Sequence, residues 1–573
     1  MTSGVVINAE PESPHELGLG LPVHGETSGD GAVEKWLHGR LNLVVLGVIA
    51  AGFLLRVYAA GSSFLNPDEA LHYLILNQRS AFWAYKISLT NAHPPLIYLL
   101  LYYCSFLGRS ALMLRFPSVL AGTALCWAAY KWIGTLFGKA AGAIGLILVA
   151  FSPVMIALSA EVRSYALLLF CETTALYLVE KALQEKSVRK MWHFSIFLYL
   201  AILSHYSAVF FVLAVGIYAL ARIVESQLPR KVVAAWAGGQ AGALAIYAFL
   251  YVTHLSKLKQ TFASWAMGFD QAFGHPDHEH LFIFARERTL DIFSFLFGNQ
   301  YVAQGLLLLW IAAVGLLLFR ELERRPENLR TRHSGILLLL PIIAVLGAGI
   351  AGFYPYVGSR HTVFLAPFLI AALSFLLAAI YGQKLWAAIL VAALLVGASN
   401  ASGKMPESGI TKENQSRALM DAAVNHVQQT IPPGDLILTD YESALLLVYY
   451  LCGPKLILPV GTFNLPASRV KCNGRTIASF QTWSMDAAFF LSNFGIIAKA
   501  QRLKPGDRVW VIESGWSVAL GRQLPFTSPE FRCLNPKTFG ANISVIPFTV
   551  GPDLSPVATV TNCPAAAFNS PQM

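Results

Sequence analysis

Residues 42–69 read NLVVLGVIAAGFLLRVYAAGSSFLNPDE, an apolar segment followed within a few residues by two adjacent carboxylates. The apolar part, 42–60, is long enough to cross a bilayer as a helix. Asp68 and Glu69 then lie where the chain leaves the hydrocarbon. Charges at that depth are costly and usually serve chemistry or ion passage. The structural alternative is an ordinary interfacial helix, because such helices also begin with proline followed by acids in the first turn.

The composition predicts a polytopic membrane protein. Of 573 residues, 55% are hydrophobic and only 13% are charged, and the mean hydropathy is +0.54, which excludes an ordinary soluble globular protein. The net charge of +10 is explained by the Lys/Arg surplus of cytoplasmic loops, so no nucleic-acid partner is expected. Residues 1–40 are polar and lack the apolar core of a signal peptide, which predicts a disordered cytoplasmic tail.

Apolar stretches of spanning length recur along the chain up to residue 399. The basic clusters between them are expected to be cytoplasmic. With that constraint, residues 41–399 are predicted to contain about eleven transmembrane helices, with the N-terminus inside and a helix over 94–107 lying in the outer interface. The long stretches lie near 42–60, 115–133, 141–158, 165–182, 207–223, 233–253, 302–319, 335–352 and 362–381, with shorter ones near 94–107, 192–204 and 384–398.

Unusual polar residues flank these stretches, and the predicted topology places them together on the outer face. A transporter would more typically place such residues at the bilayer midplane, between broken helices. The cytoplasmic loops contain little beyond basic anchors. The predicted outer-face set is Asp68, Glu69 and His93 in the first outer loop 61–114, then Glu161, Arg163, Tyr165, His254, the loop 255–300, Arg360 and His361, with His205 near the outer end of a short helical hairpin.

Glu161-Val162-Arg163-Ser164-Tyr165 forms a short outer turn between two predicted spans. One explanation is an interfacial belt, in which the arginine snorkels and the tyrosine anchors at headgroup level. The functional alternative is that Arg163 binds a lipid phosphate, because its planar donors can pair with two phosphate oxygens. Glu161 would then orient Arg163 or a substrate hydroxyl.

Arg360 and His361 stand at the start of a later span, and an anchoring role is again the structural alternative. A second cation beside Arg163 would stabilise a developing phosphate dianion, so the two arginines are more informative together than apart. His93 precedes two prolines at the start of the interfacial helix, where proline pairs are also common for structural reasons.

The segment His275-Pro276-Asp277-His278-Glu279-His280 has the composition of a metal site, but its spacing matches none and predicts a solvated loop. The sequence contains no glycine-rich phosphate loop, no nucleophile elbow and no paired Cys-x-x-Cys. Nucleotide-driven transport, serine hydrolysis and zinc-finger functions therefore lack support.

Residues 400–573 differ in character from the rest of the chain. Short β-rich runs at 435–439 and 508–512 are bounded by Pro-Gly turns, and 415–430 has the pattern of an amphipathic helix. These patterns predict a small extracytoplasmic α/β domain rather than an irregular tail.

The seven cysteines fall into two groups. Cys104, Cys126 and Cys171 lie in apolar segments, whereas Cys452, Cys472, Cys533 and Cys563 allow two disulfides in three connectivities.

Several short motifs follow one another in a fixed order: Asp68-Glu69, His93-Pro94-Pro95-Leu96, Arg115-Phe116-Pro117-Ser118 followed by Ala121-Gly122, Ser152-Pro153, Glu161-x-Arg163-x-Tyr165 and Ser204-His205-Tyr206. In that order they resemble the bacterial branch of the GT-C glycosyltransferases, which includes Rgt-type lipopolysaccharide transferases. This branch is related to the protein O-mannosyltransferases and the aminoarabinose transferase of lipid A. The resemblance covers about 40–380 and is strongest over 64–210. Related enzymes have a lysine near the Pro-Pro position, where this chain has His93.

The resemblance implies transfer of a sugar from a polyprenyl-phosphate carrier to an acceptor hydroxyl, with inversion, at the outer face of a bacterial cytoplasmic membrane. Asp68 would be the general base, with Glu69 beside it in the catalytic pair. Arg163 and Arg360 would stabilise the departing phosphate, which needs cations rather than a general acid. No cofactor and no divalent metal are expected, because a monophosphate carries less charge than a diphosphate. The predicted substrate-binding residues are His93, Glu161, Arg163, Tyr165, His205, Arg360 and His361.

Two other classes of protein stay open as alternatives. One is a lipid or polysaccharide transporter or flippase, and the other is a structural or assembly protein whose working part is 400–573. The sequence leaves open the donor sugar, the oligomeric state and the acceptor, which could be a lipid A core, a cell-wall glycan, another lipid-linked sugar or a protein. The C-terminal domain, beside the active face, is expected to select acceptors.

Overall fold

The computed structural model describes most of the chain, and its gaps lie mainly at the termini and in connecting segments. A helical part comes first and a sheet-containing domain follows. The described residues are 31–258, 272–274, 280–319, 331–401, 416–453, 456–458, 468–480, 482, 484–516, 518–527, 531, 534 and 536–558.

The helical part is a bundle with one continuous apolar core. Its helices coincide with the apolar stretches of the sequence because each such stretch can satisfy its backbone groups internally as a helix. The helices are α1 Ala32–Ser62, α2 Pro67–Leu76, α3 Ala81–Ser88, α4 Leu96–Cys104, α5 Ala111–Phe137, α6 Lys139–Phe151, α7 Pro153–Ser159, α8 Tyr165–Gln184, α9 Val188–Ser204, α10 Ala208–Ser226, α11 Arg230–Thr253, α12 Leu281–Phe297, α13 Gln300–Phe319, α14 Thr331–Ile350, α15 Ala366–Ile380 and α16 Leu385–Ala401.

The chain is a multi-pass membrane protein. Within the described ranges, seven helices are long and apolar enough to cross a membrane, and the bent pair α6 and α7 makes eight if it forms one span. Helices α8, α9 and α16 contribute to the same apolar core, and counting them would give the predicted eleven. That number and the sidedness of the loops stay predictions.

The predicted span 141–158 is a broken helix, bent by 58° between α6 and α7. Pro153 begins α7 and cannot donate a backbone hydrogen bond to the preceding turn. The carbonyls at the end of α6 are satisfied instead by Arg56, whose guanidinium donates to Val149 O and Ala150 O at 3.0 Å each. Arg56 was not singled out in the sequence, although an arginine inside an apolar stretch is itself a signal of a buried role.

Two predicted boundaries need correction. The tail predicted to reach residue 40 is helical from Ala32 onward, where α1 begins. The loop predicted over 255–300 contains helix α12, whose Phe284 and Phe293 are buried in the core of the bundle. Several charged residues interrupt its apolar pattern, which explains why the sequence did not indicate a helix there. Residues 275–279 of the histidine-rich segment lie outside the described residues.

The C-terminal part is the predicted α/β domain. Its sheet has the strand order β2-β3-β1-β4-β6-β5, with β7 paired to β6, and β3, β1 and β4 run parallel to one another. The predicted helix and strands are α17, β1 and β4. The strands are β1 Leu436–Thr439, β2 Ser468–Cys472, β3 Arg475–Ser479, β4 Arg508–Ser514, β5 Lys537–Thr538, β6 Ile543–Val550 and β7 Pro556–Ala558, and the helices are α17 Arg417–Thr430, α18 Tyr441–Leu447 with a π-helical turn Val448–Cys452, α19 Ala487–Ala500 and α20 Leu520–Thr527.

One disulfide joins Cys452 to Cys472, and so ties the π-helical turn to β2. This is one of the pairs that the sequence left open. Its possible counterpart, Cys533 with Cys563, lies outside the described residues. The remaining described cysteines are free thiols: Cys104, Cys126 and Cys171.

The C-terminal domain packs on α2, the helix whose second residue is Asp68. Helix α2 and the π-helical turn share an apolar cluster in which the rings of Tyr73 and Tyr449 meet edge to face at 4.8 Å. The Leu65 backbone N–H donates to the Tyr450 hydroxyl at 2.9 Å, just before α2 begins. The domain therefore helps to fix the position of the helix that carries the acidic pair.

Candidate active site

Helix α2 begins with a capping box that determines where its two acids point. The Asn66 side chain accepts a hydrogen bond from the Glu69 backbone N–H, and the Glu69 carboxylate accepts one from the Asn66 backbone N–H, both at 2.9 Å. Pro67 occupies the first helical position, where its fixed φ suits a helix start. Adjacent residues on a helix face different directions, so Asp68 and Glu69 have different surroundings.

Two arginines from distant parts of the chain meet on one oxygen of Asp68. Arg163, in the turn before α8, donates from Nη2 to Asp68 Oδ2. Arg360, at the start of a 3-10 turn before α15, donates from Nη2 to the same oxygen at 2.9 Å. The structure thus brings together three residues that the sequence predicted as base and phosphate ligands.

Opposing effects set the pKa of Asp68. Burial raises the pKa of this carboxyl, but the positive charges of Arg163 and then Arg360 outweigh burial and hold the pKa below its usual value. In this arrangement Asp68 is ionised and strongly solvated by cations. A carboxylate in that state is a weak base, so it becomes a better one only if its arginines are drawn away.

Glu69 is fully buried, and its carboxylate is already occupied. Arg115, from α5, donates from Nε and Nη2 to its two oxygens at 2.7 Å each. The backbone N–H of Val162 donates to Glu69 Oε1 at 2.8 Å. Glu69 therefore joins three elements: the start of α2, the start of α5 and the turn that carries Arg163. Its predicted catalytic role stays a prediction, and its contacts are those of a positioning residue.

The turn before α8 positions the Arg163 side chain toward Asp68. Its backbone is held by Ser118 of α5, whose hydroxyl donates to Arg163 O at 3.0 Å. Arg163 Nη1 contacts His93 Nε2 at 3.4 Å, and arginine can only donate, so the His93 proton resides on Nδ1. Arg163 Nε and His93 Nδ1 are buried without a hydrogen-bond partner among the described residues. A buried donor without an acceptor is a place where an oxygen of a bound anion can be held, and Arg163 Nε, on the guanidinium that faces Asp68, is such a donor.

Histidine and tyrosine rings surround this point. The ring centroid of His93 lies 5.3 Å from that of His205 and 6.3 Å from that of Tyr165, and Tyr165 is 6.4 Å from His361. These four residues, predicted from separate motifs, come from the loop before α4, the end of α9, the start of α8 and the turn before α15. The structure therefore brings every predicted ring residue to Arg163.

His72 and Tyr98 belong to the same cluster and were missed in the sequence. His72 Nδ1 donates to the Asp68 backbone carbonyl at 2.7 Å, which leaves Nε2 to accept from the Tyr98 hydroxyl at 3.3 Å. His72 follows Asp68 by four residues in α2, and that i,i+4 spacing was the available signal. Tyr98 in α4 gave no signal beyond its aromatic ring.

Burial keeps the described histidines of the outer loop neutral. Burial and, after it, the charge of Arg163 lower the pKa of His72 and of His205 to about 3. Burial and the same arginine hold the pKa of His93 well below its usual value. Neutral imidazoles can accept and donate hydrogen bonds beside a phosphate without adding charge.

The remaining predicted residues lie around the cluster. Glu161 is half-buried, and its backbone carbonyl accepts from Arg163 N at 2.9 Å. His254, predicted on the outer face, donates from Nε2 to Asn91 O at 2.8 Å and accepts from the Tyr206 hydroxyl at 2.6 Å. Across the described ranges, no three His, Cys, Asp or Glu side chains are grouped so as to hold a metal ion. Metal independence stays a prediction.

Part of the chain matches a known protein family. Residues 92–252 match the family model described as dolichyl-phosphate-mannose-protein mannosyltransferase. This stretch includes His93, Arg163, Tyr165 and His205. The resemblance to GT-C transferases, predicted from the order of the motifs, is confirmed there. No curated protein matches the chain by sequence.

Three of the solved structures that are similar to this chain come from two organisms. The oligosaccharyltransferase of Archaeoglobus fulgidus tethered to an acceptor peptide is 12% identical, with a TM-score of 0.46, and the match covers 84% of this chain and 70% of that chain. AglB of the same organism with an inhibitory peptide and a dolichol-phosphate is 11% identical, with a TM-score of 0.42 and coverage of 82% and 70%. ArnT of Cupriavidus metallidurans bound to undecaprenyl phosphate is 11% identical, with a TM-score of 0.35 and coverage of 90% and 98%.

Proposed function

We propose that the chain is a glycosyltransferase that moves a sugar from a polyprenyl-phosphate carrier to an acceptor hydroxyl at the outer face of a bacterial cytoplasmic membrane. The observation that carries the proposal is the convergence of Arg163 and Arg360 on Asp68, beside buried donors that lack an acceptor. A base next to an anion site is what attack on a phosphate-linked sugar requires.

The anion site fits the phosphate of the donor. Arg163 Nε is buried without a hydrogen-bond partner among the described residues, and the Nη2 groups of Arg163 and Arg360, now on Asp68, are the further donors that a phosphate would take. A phosphate carries more charge than a carboxylate and offers more acceptor oxygens, so it can displace Asp68 from these donors. His93 would supply a hydrogen bond where related enzymes supply a lysine charge.

Displacement by the phosphate links donor binding to catalysis. When the arginines turn to the donor phosphate, Asp68 loses the two charges that lower its pKa and becomes the stronger base. The base is therefore activated only when a donor is present. Glu69 does not take part in this exchange, because Arg115 and two backbone N–H groups hold it.

The reaction then follows as a single inverting displacement. The acceptor hydroxyl gives its proton to the Asp68 carboxylate while its oxygen forms a bond to the anomeric carbon of the sugar. The bond from that carbon to the phosphate oxygen breaks, and its electron pair leaves with the polyprenyl phosphate. Arg163 and Arg360 stabilise the second negative charge of the leaving group, so neither a general acid nor a divalent metal is required.

The experiment is a donor-cleavage assay on the purified protein in nanodiscs. A panel of radiolabelled polyprenyl-phosphate sugars is offered with a membrane extract as acceptor source, and free polyprenyl phosphate is measured. Asp68→Asn should slow release by about 10²- to 10⁴-fold, the usual contribution of a general base. Asp435→Asn removes another arginine-paired acid, on the C-terminal domain, and should leave release unchanged. Release from no donor would point to the transporter instead, and equal release by Asp68→Asn would remove Asp68 from the mechanism.

A further inference from the structure

The parallel strands of the C-terminal domain end beside the candidate active site. Helices α17 and α18 pack on one face of the sheet, with Ile437 and Trp510. Helices α19 and α20 pack on the other face, with Leu438 and Val511. The chain therefore leaves the neighbouring strands β1 and β4 toward opposite faces. In open α/β sheets, such a switch point forms a crevice at the carboxyl ends of the strands, where ligands bind.

The carboxyl ends of β1 and β4, at this switch point, meet the start of α2. Gly515 follows β4 with a φ of +125°, and a Cβ there would lie 3.0 Å from Pro67 Cγ and 3.0 Å from Glu442 Oε2. Only a glycine lets the two parts of the chain approach so closely. Pro67 is the residue before Asp68, so the end of β4 adjoins the proposed base.

Polar and aromatic side chains follow both strand ends. Tyr441 and Glu442 begin α18 after β1, and Trp516 follows Gly515 after β4. The Trp516 backbone N–H donates to Glu442 Oε2 at 3.1 Å, which connects the two sides. Burial and the nearby Asp68 carboxylate together raise the pKa of Tyr441 to about 12, so its hydroxyl stays protonated near the base. Tyr441 is only half-buried.

We propose that the switch point between β1 and β4 opens on the acceptor subsite, that this subsite takes a sugar ring of a glycan acceptor, and that Tyr441 positions the attacking hydroxyl beside Asp68. The inference rests on the function proposed above. Aromatic rings offer flat apolar faces with a polar edge, and carboxylates accept hydrogen bonds from hydroxyls, which together suit a sugar ring. A peptide strand cannot add to the sheet here, because β1 and β4 are each paired on both sides.

In the transfer step, Tyr441 orients the acceptor and does not exchange a proton with it. The acceptor oxygen loses its proton to Asp68 and bonds to the anomeric carbon, and the phosphate leaves with the electron pair of the broken bond. Tyr441 is accordingly a positioning residue for the acceptor.

The test measures KM for acceptor and for donor separately, with the full chain in nanodiscs and the best donor of the panel. Octyl glycosides and a peptide containing serine and threonine are the acceptor probes. Tyr441→Phe should raise KM for an octyl glycoside by about tenfold, the effect of one hydrogen bond to a substrate, with a smaller change in KM for the donor. Gly515→Ala, which places a methyl group against Pro67 and Glu442, should act in the same direction.

Gly506→Ala is the matched control, because Gly506 also has a positive φ, of +89°, but a Cβ there meets nothing within 4 Å. It should leave both KM values unchanged. Unchanged acceptor KM in both Tyr441→Phe and Gly515→Ala would overturn the inference, as would transfer to the peptide and to no glycoside. Absence of Asp68-dependent cleavage of any donor would instead overturn the proposed function, so the two failures are distinguishable.

Discussion

At the scale of single residues, neighbours in sequence have separate tasks. Asp68 and Glu69 are adjacent acids, yet Asp68 faces two arginines that can move to a ligand, whereas Glu69 is bound by Arg115 and by backbone donors. The sequence predicted both as catalytic because neither spacing nor composition distinguishes them. The tertiary contact of Glu69 with Arg115, in another helix, distinguishes it from Asp68, the proposed base.

The buried histidines predict that the protein loses stability in acid. His72, His93 and His205 are neutral when folded, with a pKa far below the value of about 6.5 expected in the unfolded chain. The unfolded state binds more protons below that pH, so stability is complete above about pH 6.5 and is lost as the pH falls. Each histidine contributes a loss of about 1.4 kcal/mol per pH unit within that window.

Thermal unfolding of the detergent-solubilised protein between pH 7.5 and 5 measures this loss. We expect a midpoint that falls steeply below pH 6.5, and a shallower fall in His205→Asn. His193→Asn changes an exposed histidine and serves as the control. A midpoint independent of pH over this range would contradict the assignment of neutral, buried imidazoles.

At the scale of elements, the ion pair between Glu69 and Arg115 connects α2 to α5, and Glu69 also accepts a hydrogen bond from the turn before α8. Both side chains are buried, so Glu69→Gln leaves an arginine charge without its partner. Breaking a buried pair in this way costs about 3–5 kcal/mol, and we expect a clear drop in the unfolding midpoint.

Glu287→Gln is the comparison, because Arg286 and Glu287 form an exposed pair at 3.5 Å in α12. Exposed pairs contribute about 0–1 kcal/mol, so this variant should unfold close to the wild type. Similar unfolding midpoints for the two variants would show that the buried pair does not stabilise the packing of these elements.

The elements also show what sequence patterns can reveal. The apolar stretches predicted α5, α8, α10 and α13 closely, because a membrane helix satisfies its backbone within one continuous segment. The pattern of apolar residues did not indicate helix α12, because charged residues interrupt the apolar face that packs on the bundle. Pro153 was a visible signal for the bend between α6 and α7, but the part of Arg56, which satisfies carbonyls at the end of α6, depends on a distant contact.

At the scale of the whole molecule, the C-terminal domain packs against the part of the bundle that holds the proposed site. The order of the motifs indicated which residues of the bundle converge, and the structure places Arg163, Arg360, His93, Tyr165 and His205 around Asp68 or its arginines. Tyr441 and Gly515 could not be predicted in the same way. The contact of Gly515 with Pro67 depends on how the C-terminal domain packs on the bundle, which no local pattern encodes.

The most direct measurement compares how tightly the wild type and Asp68→Asn bind polyprenyl phosphate. Equilibrium binding of the radiolabelled lipid to detergent-solubilised protein gives the two affinities, and Asp435→Asn is the control. If the phosphate and Asp68 compete for Arg163 and Arg360, removing the carboxylate should tighten binding by about tenfold or more, while transfer is lost. Equal or weaker binding by Asp68→Asn would contradict a shared pair of arginines, and with it the account of how the donor activates the base.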